Sequence, residues 1–127
     1  MGFIEAIRVF FKKYSDFSGR GRRSEFWYSY LFTYLAVLLI FLSFAFLMVP
    51  FQYDRLALQI IATFGGLAVC GILIPYLAAM SRRLHDTNRS FSYAFMALIP
   101  LVGPIFLLVA LATDGEQISN RFGQPVK

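Results

Sequence analysis

Charge is what this sequence has least of. Only 15% of its 127 residues are Asp, Glu, Lys or Arg, against about 25% in an ordinary soluble domain. None of these, and no histidine, falls within residues 26–53, 56–81 or 90–113. Runs of that length exclude a water-soluble fold, because about 20 apolar residues suffice to cross a hydrocarbon core of about 30 Å. Cysteine occurs once, as Cys70 inside the second run, which excludes an intramolecular disulfide and a cysteine zinc site. Histidine also occurs once, as His85. Together with Asp86, Asp114 and Glu116 it makes no metal-ligand spacing, so neither a metal nor a cofactor is expected. No carboxylate lies in the apolar runs, which removes the intramembrane relay a proton or ion transporter uses. The length allows one domain, residues 1–127, with little left for an extramembrane catalytic unit.

What is present is 58% hydrophobic and 18% aromatic, with a net charge of +5. In residues 1–14, Phe3, Ile4, Ile7, Phe10, Phe11 and Tyr14 gather on one side at 100° per residue, and Glu5, Arg8, Lys12 and Lys13 on the other. Those charges interrupt the stretch too often for a signal peptide. The pattern predicts an amphipathic helix lying in the membrane interface; the alternative is a helix packed on a partner or on the chain's own spans.

Residues 15–25 form a basic, Gly-containing connector in which Ser24 is a candidate helix cap. Trp27, Tyr28, Tyr30 and Tyr34 follow, residue types that favour the membrane–water boundary. Residues 31–49 contain thirteen Leu, Ile, Phe or Val, favouring insertion by at most about 4–8 kcal/mol. The first span is placed at 26–50 and the second at 56–81, antiparallel across a short turn. In the second, Ala62, Gly66 and Cys70 form a small-residue stripe suited to close helix packing. Pro75 cannot donate to the Gly71 carbonyl, so a kink is expected. The third span is placed at 90–113 and the polar tail at 114–127. The alternative for the third is a re-entrant hairpin centred on Pro-Leu-Val-Gly-Pro.

The chain therefore reads as an all-α integral membrane protein with three transmembrane helices and an N-terminal amphipathic interfacial helix. With three crossings, nine cations lie on one side (Arg8, Lys12, Lys13, Arg20, Arg22, Arg23, Arg82, Arg83, Arg89) and three on the other (Arg55, Arg121, Lys127). Residues 81–89 read as the main internal loop, and the positive-inside rule then makes the N-terminus and this 81–89 segment cytoplasmic and the tail external.

Three polar stretches occur in a fixed order around the apolar runs: Phe17-Ser-Gly-Arg-Gly-Arg-Arg-Ser-Glu-Phe-Trp-Tyr28, Arg82-Arg-Leu-His-Asp-Thr-Asn-Arg-Ser90, and Asp114-Gly115 with Asn120-Arg-Phe-Gly123. In this they resemble the domain-of-unknown-function 805 family of bacterial inner-membrane proteins. The resemblance runs from about Phe10 to the C-terminus. Asn88 stands where that family commonly has Gly, a mild departure because Asn tolerates left-handed backbone. Phe91-Ser92 replaces a Gly-Trp pair, and Gln117-Ile118-Ser119 replaces a Pro-Gly turn. The resemblance implies a small helical protein of the bacterial cytoplasmic membrane and carries no activity, substrate or cofactor.

The candidate chemistry lies in six arginines, Arg20, Arg22, Arg23, Arg82, Arg83 and Arg89, which gather at one membrane surface. Guanidinium groups bond phosphate in bidentate fashion, so the set is a candidate anionic-lipid site, with Glu25 and Asp86 pairing some of its members. The plainer alternative is that they fix topology and snorkel at helix ends. His85-Asp86 invites an acid/base reading, but adjacent helical residues do not face each other and no nucleophile accompanies them. Stacking on nucleic acid is blocked where the aromatics enter the bilayer. The expected function is that of a non-enzymatic accessory or scaffold protein engaging anionic lipid or a membrane partner. Self-association through Ala62, Gly66 and Cys70 is a further expectation. A subunit of a small oligomeric channel or transporter is the alternative, and a lipid-headgroup enzyme comes third.

Overall fold

A computed structural model describes residues 2–126; Met1 and Lys127, the ends of the expected first helix and tail, lie outside it. The described chain is helical throughout its regular structure. α1 spans Phe3–Lys12, α2 Arg23–Met48, α3 Arg55–Asp86 and α4 Val102–Ala112, with 3₁₀ segments at Val49–Phe51 and Phe91–Leu98.

α2 and α3 form a long antiparallel hairpin. At 1.5 Å per residue they measure about 39 and 48 Å, more than the hydrocarbon core requires. Only 6% of either helix's most apolar stretch is buried. A core helix of a soluble protein would be covered on most sides; these two leave Leu39, Phe41, Phe46, Phe64 and Leu67 outward, the surface that lipid solvates. The turn between them is capped by Asp54, whose carboxylate accepts from the Ala57 amide at 3.1 Å. Ser24 does not cap α2, which starts at Arg23 without a side-chain cap. The close approach of α2 to α3 uses Gly65, where an added Cβ would sit 3.2 Å from the Phe44 ring. Ala62, Gly66 and Cys70, the expected packing stripe, are exposed and line an apolar groove of about 530 Å³ beside that contact.

α1 packs part of its apolar face on the chain's own hairpin and leaves Ile4 and Phe11 exposed. Ala6 and Phe10 are fully buried. Phe10 and Phe11 meet Phe32 edge-on at 5.2 and 5.7 Å, and Phe3 meets Tyr28 at 5.7 Å. Tyr14, just beyond α1, donates its hydroxyl to the Gly71 carbonyl. That is the carbonyl that Pro75 leaves without its helical donor, so the aromatic side chain supplies the missing hydrogen bond.

The expected continuous third span is not formed. Phe91–Leu98 is 3₁₀, Pro100 interrupts the chain, and Leu101 sits at φ 67°. α4 then runs back. Gly103 makes the reversal feasible, because a Cβ there would overlap the Met96 carbonyl and the Ile99 side chain. The two arms are each about 16 Å long, half of what a crossing needs. The tail consequently returns to the end of the hairpin where α3 stops, correcting the expectation that it lies opposite the 81–89 segment.

Most of that segment is itself helix. α3 continues to Asp86 and closes with a left-handed Asn88 at φ 59°. The Asn88 amide bonds the His85 carbonyl at 3.0 Å, and the Arg89 amide the Leu84 carbonyl at 2.9 Å. This is a Schellman cap, and it gives a physical reason why Gly or Asn suits the position.

Candidate functional site

The last turns of α3, residues 78–86, are buried on all sides. They stand beyond the length needed to cross lipid and are wrapped by the connector after α1, the start of α2, α4 and the tail. Small side chains at Ala78 and Ala79 let these segments close in; Arg82, Arg83, His85 and Asp86 meet them with polar groups.

Asp86 is the hub. Its Oδ1 accepts from Arg20 Nε at 2.9 Å and its Oδ2 from Arg83 Nη1 at 2.6 Å. All three side chains are at most 1% exposed. Arg20 spends its remaining donors on carbonyls of Asp86, Glu116, Ile118 and Gly123, which stitches the tail onto α3. Arg83 bonds the carbonyls of Leu111 and Thr113, and Gly21 at 3.3 Å. Arg82 pairs with Glu25 Oε1 at 2.9 Å and donates to the carbonyls of Lys13 and Asp16.

Three buried cations against two buried carboxylates leave an excess positive charge. It is balanced by the negative ends of two helices. α3 and α4 both terminate here, and Arg83 and Arg23 occupy the carbonyls of Leu111, Ala112 and Thr113 that α4 cannot satisfy internally. A charge buried without such partners would cost several kcal/mol.

Glycines set the approach distances. Gly21 donates its amide to the Arg82 carbonyl at 2.8 Å, and a Cβ there would stand 3.1 Å from Arg82 Cβ. At Gly115 a Cβ would overlap the Asp86 carboxylate. The neighbouring Glu116 amide bonds the Asp86 carbonyl at 2.9 Å.

His85 and Asp86 serve different partners. His85 Nδ1 faces the Gly19 carbonyl at 2.8 Å; a carbonyl only accepts, so that nitrogen carries the proton. Its ring stacks on Phe122 at 3.8 Å and 1° between planes. Ser81 Oγ, 3.5 Å from Nε2, donates instead to the Phe17 carbonyl at 2.9 Å. Asn120 Nδ2 adds a bond to the His85 carbonyl. Outside the helices, Ser18 bonds the Asp16 carboxylate through side chain and amide, and these bonds hold its pKa below the ordinary 3.8.

The six expected arginines thus divide. Arg20, Arg82 and Arg83 are buried with their donors engaged, and the expected carboxylate support from Glu25 and Asp86 is directed to them. Arg22, Arg23 and Arg89 lie outside. Arg22 reaches the Val126 carbonyl, Arg23 pairs with the exposed Asp114 at 3.0 Å, and Arg89 lies over the Tyr93 ring. The sequence did not disclose the tail's participation. Its only signal was the co-occurrence of Asp114-Gly115 and Asn120-Arg-Phe-Gly123 with the other two motifs.

Comparison with known proteins agrees with that co-occurrence. The family described as protein of unknown function (DUF805) matches residues 14–124. The chain is 36% identical over 118 residues to the inner membrane protein YhaI of Escherichia coli strain K12, covering 91% of this chain and 90% of YhaI. It is 34% identical to the inner membrane protein YhaH of the same organism, covering 91% of each. No solved structure matches. With its apolar hairpin and the three motif segments tied into one knot, the chain belongs to the DUF805 family of membrane proteins.

Proposed function

We propose that this protein is a non-enzymatic membrane scaffold whose cytoplasmic face engages anionic lipid headgroups. The observation that carries the reading is the segregation of charge. At one end of the hairpin the buried arginines lock the fold, and Arg8, Lys12, Arg22, Arg23 and Arg121 stay exposed around them. Arg55 is the one described cation at the opposite turn. The positive-inside rule assigns the basic end, tail included, to the cytoplasm. Each cation near an anionic leaflet contributes about 1 kcal/mol of attraction. In this reading α2 and α3 cross the membrane, and residues 91–112 dip into it and return.

The test is lipid co-purification. Anionic lipid should be enriched on the detergent-solubilised protein relative to the membrane it came from, and high salt should reduce the enrichment. Retained lipid of the bulk composition at low salt would contradict the proposal. The exposed Ala62, Gly66 and Cys70 groove favours a second reading, self-association within the bilayer. Crosslinking through Cys70 in intact membranes tests it, and monomers alone would count against it.

A further inference from the structure

Among the described residues, a groove joins cations without an acid partner to an apolar wall. It lies at the mouth of the re-entrant hairpin, has a volume of about 570 Å³, and is lined by Arg89, Ser90, Ser92, Phe95, Met96 and Arg121 among others, with no carboxylate in its lining. Both guanidinium groups are held in place. The Schellman cap fixes the Arg89 backbone, and its side chain lies over the Tyr93 ring at 5.2 Å. Arg121 lies over Phe122 at 4.8 Å and bonds the Asn88 carbonyl at 3.1 Å. Neither has a carboxylate partner among the described residues, so most of their donors remain available. The groove beside α1 is different: Glu5 and Glu25 line it along with Lys13, Arg20 and Arg22.

The geometry points to a dedicated site for one anionic phospholipid, its phosphate between Arg89 and Arg121 and its acyl chain along Phe95 and Met96. The inference rests on the lipid-engaging reading above and gives it an address. Two guanidiniums without an acid select negative charge. The hydroxyls of Ser90 and Ser92, 2.5 Å apart, supply donors and acceptors for a hydroxylated headgroup. Below them Phe95 is largely exposed, a cost in water and a match for a lipid chain. A free phosphate would use the cations and leave that wall bare.

The detergent-purified protein is titrated with phosphatidylglycerol, phosphatidylethanolamine and inorganic phosphate, with bound species counted by native mass spectrometry. Wild type should retain phosphatidylglycerol in preference to phosphatidylethanolamine. Arg89→Gln with Arg121→Gln should weaken that retention about tenfold or more, and Arg55→Gln, at the opposite turn of the hairpin, should leave it within about twofold. An unchanged thermal midpoint for the Arg89/Arg121 variant shows that the knot is intact; if the midpoint falls, Ser90→Ala with Ser92→Ala and Phe95→Ser replace it as the test. Preference for phosphatidylglycerol that survives these changes overturns the site and leaves the basic-face reading standing. No preference in wild type overturns both. Displacement of the lipid by inorganic phosphate at equal concentration overturns the lipid assignment in favour of a soluble phosphate.

Discussion

Removing the Asp86 carboxylate should destabilise this protein more than any other single loss of an acid. Asp86→Ala strands two guanidiniums, Arg20 and Arg83, which are at most 1% exposed at their side chains and cannot turn to water without releasing the tail and the end of α4. Breaking a buried ion pair by deleting one partner costs about 3–5 kcal/mol, chiefly because the remaining charge is unmatched. Glu25→Ala should cost less, since it leaves one guanidinium unmatched, that of Arg82, where loss of Asp86 leaves two. The Arg23–Asp114 pair sets the scale at the other extreme. Its side chains are 49% and 67% exposed, and such pairs contribute about 0–1 kcal/mol. The assay is reversible unfolding in mixed micelles, with double-mutant cycles for Arg83/Asp86 and Arg23/Asp114. The first cycle should give a coupling several-fold above the second. An Asp86→Ala variant within about 1 kcal/mol of wild type would refute the reasoning.

Other consequences are simpler to state. Tyr14→Phe removes the donor to the Gly71 carbonyl and should cost about 0.5–1.5 kcal/mol; in a Pro75→Ala background, where the helix supplies its own donor, most of that cost should vanish from the same unfolding assay. Gly115→Ala drives a methyl into the Asp86 carboxylate and should cost about 1–3 kcal/mol, with increased protease cleavage in residues 114–124 as the local readout. Asp16 has its folded pKa depressed below 3.8, first by the Ser18 hydroxyl. Its contribution is therefore complete above that value and lost as pH falls through the lower folded one. Asp16→Asn should flatten the acid limb of the stability profile below about pH 4 and leave stability near pH 7 with little further pH dependence from this group.

The hairpin was legible because its signal is long and simple. Two uncharged runs joined by Gln52–Arg55 leave one arrangement, and Pro75 announces a freed carbonyl by its chemistry alone; Asn88 offered only a tolerance of left-handed backbone, and the cap it forms at the end of α3 is seen in the structure. Residues 90–113 have the same composition as a span, and hydropathy does not record direction. The reversal depends on Leu101 at positive φ and on the contact of Gly103 with Met96 and Ile99, a tertiary fact. Amphipathicity in α1 shows that one face is apolar without saying whether lipid or Phe32 covers it. The arginines were visible as a set. Their division into buried and outer members was not, because it is decided by carbonyls of Leu111, Thr113, Glu116 and Ile118, which belong to backbone and have no identity in a sequence.

The most direct test of the account is the sidedness of the tail relative to the end of α3. In a Cys70→Ser background, Thr87→Cys and Gln124→Cys are labelled with a membrane-impermeant maleimide in inside-out vesicles and in spheroplasts, with Gln52→Cys as the reference for the opposite face. The knot predicts that Thr87→Cys and Gln124→Cys react together in inside-out vesicles and that Gln52→Cys reacts in spheroplasts. Labelling of Thr87→Cys and Gln124→Cys from opposite faces would contradict it.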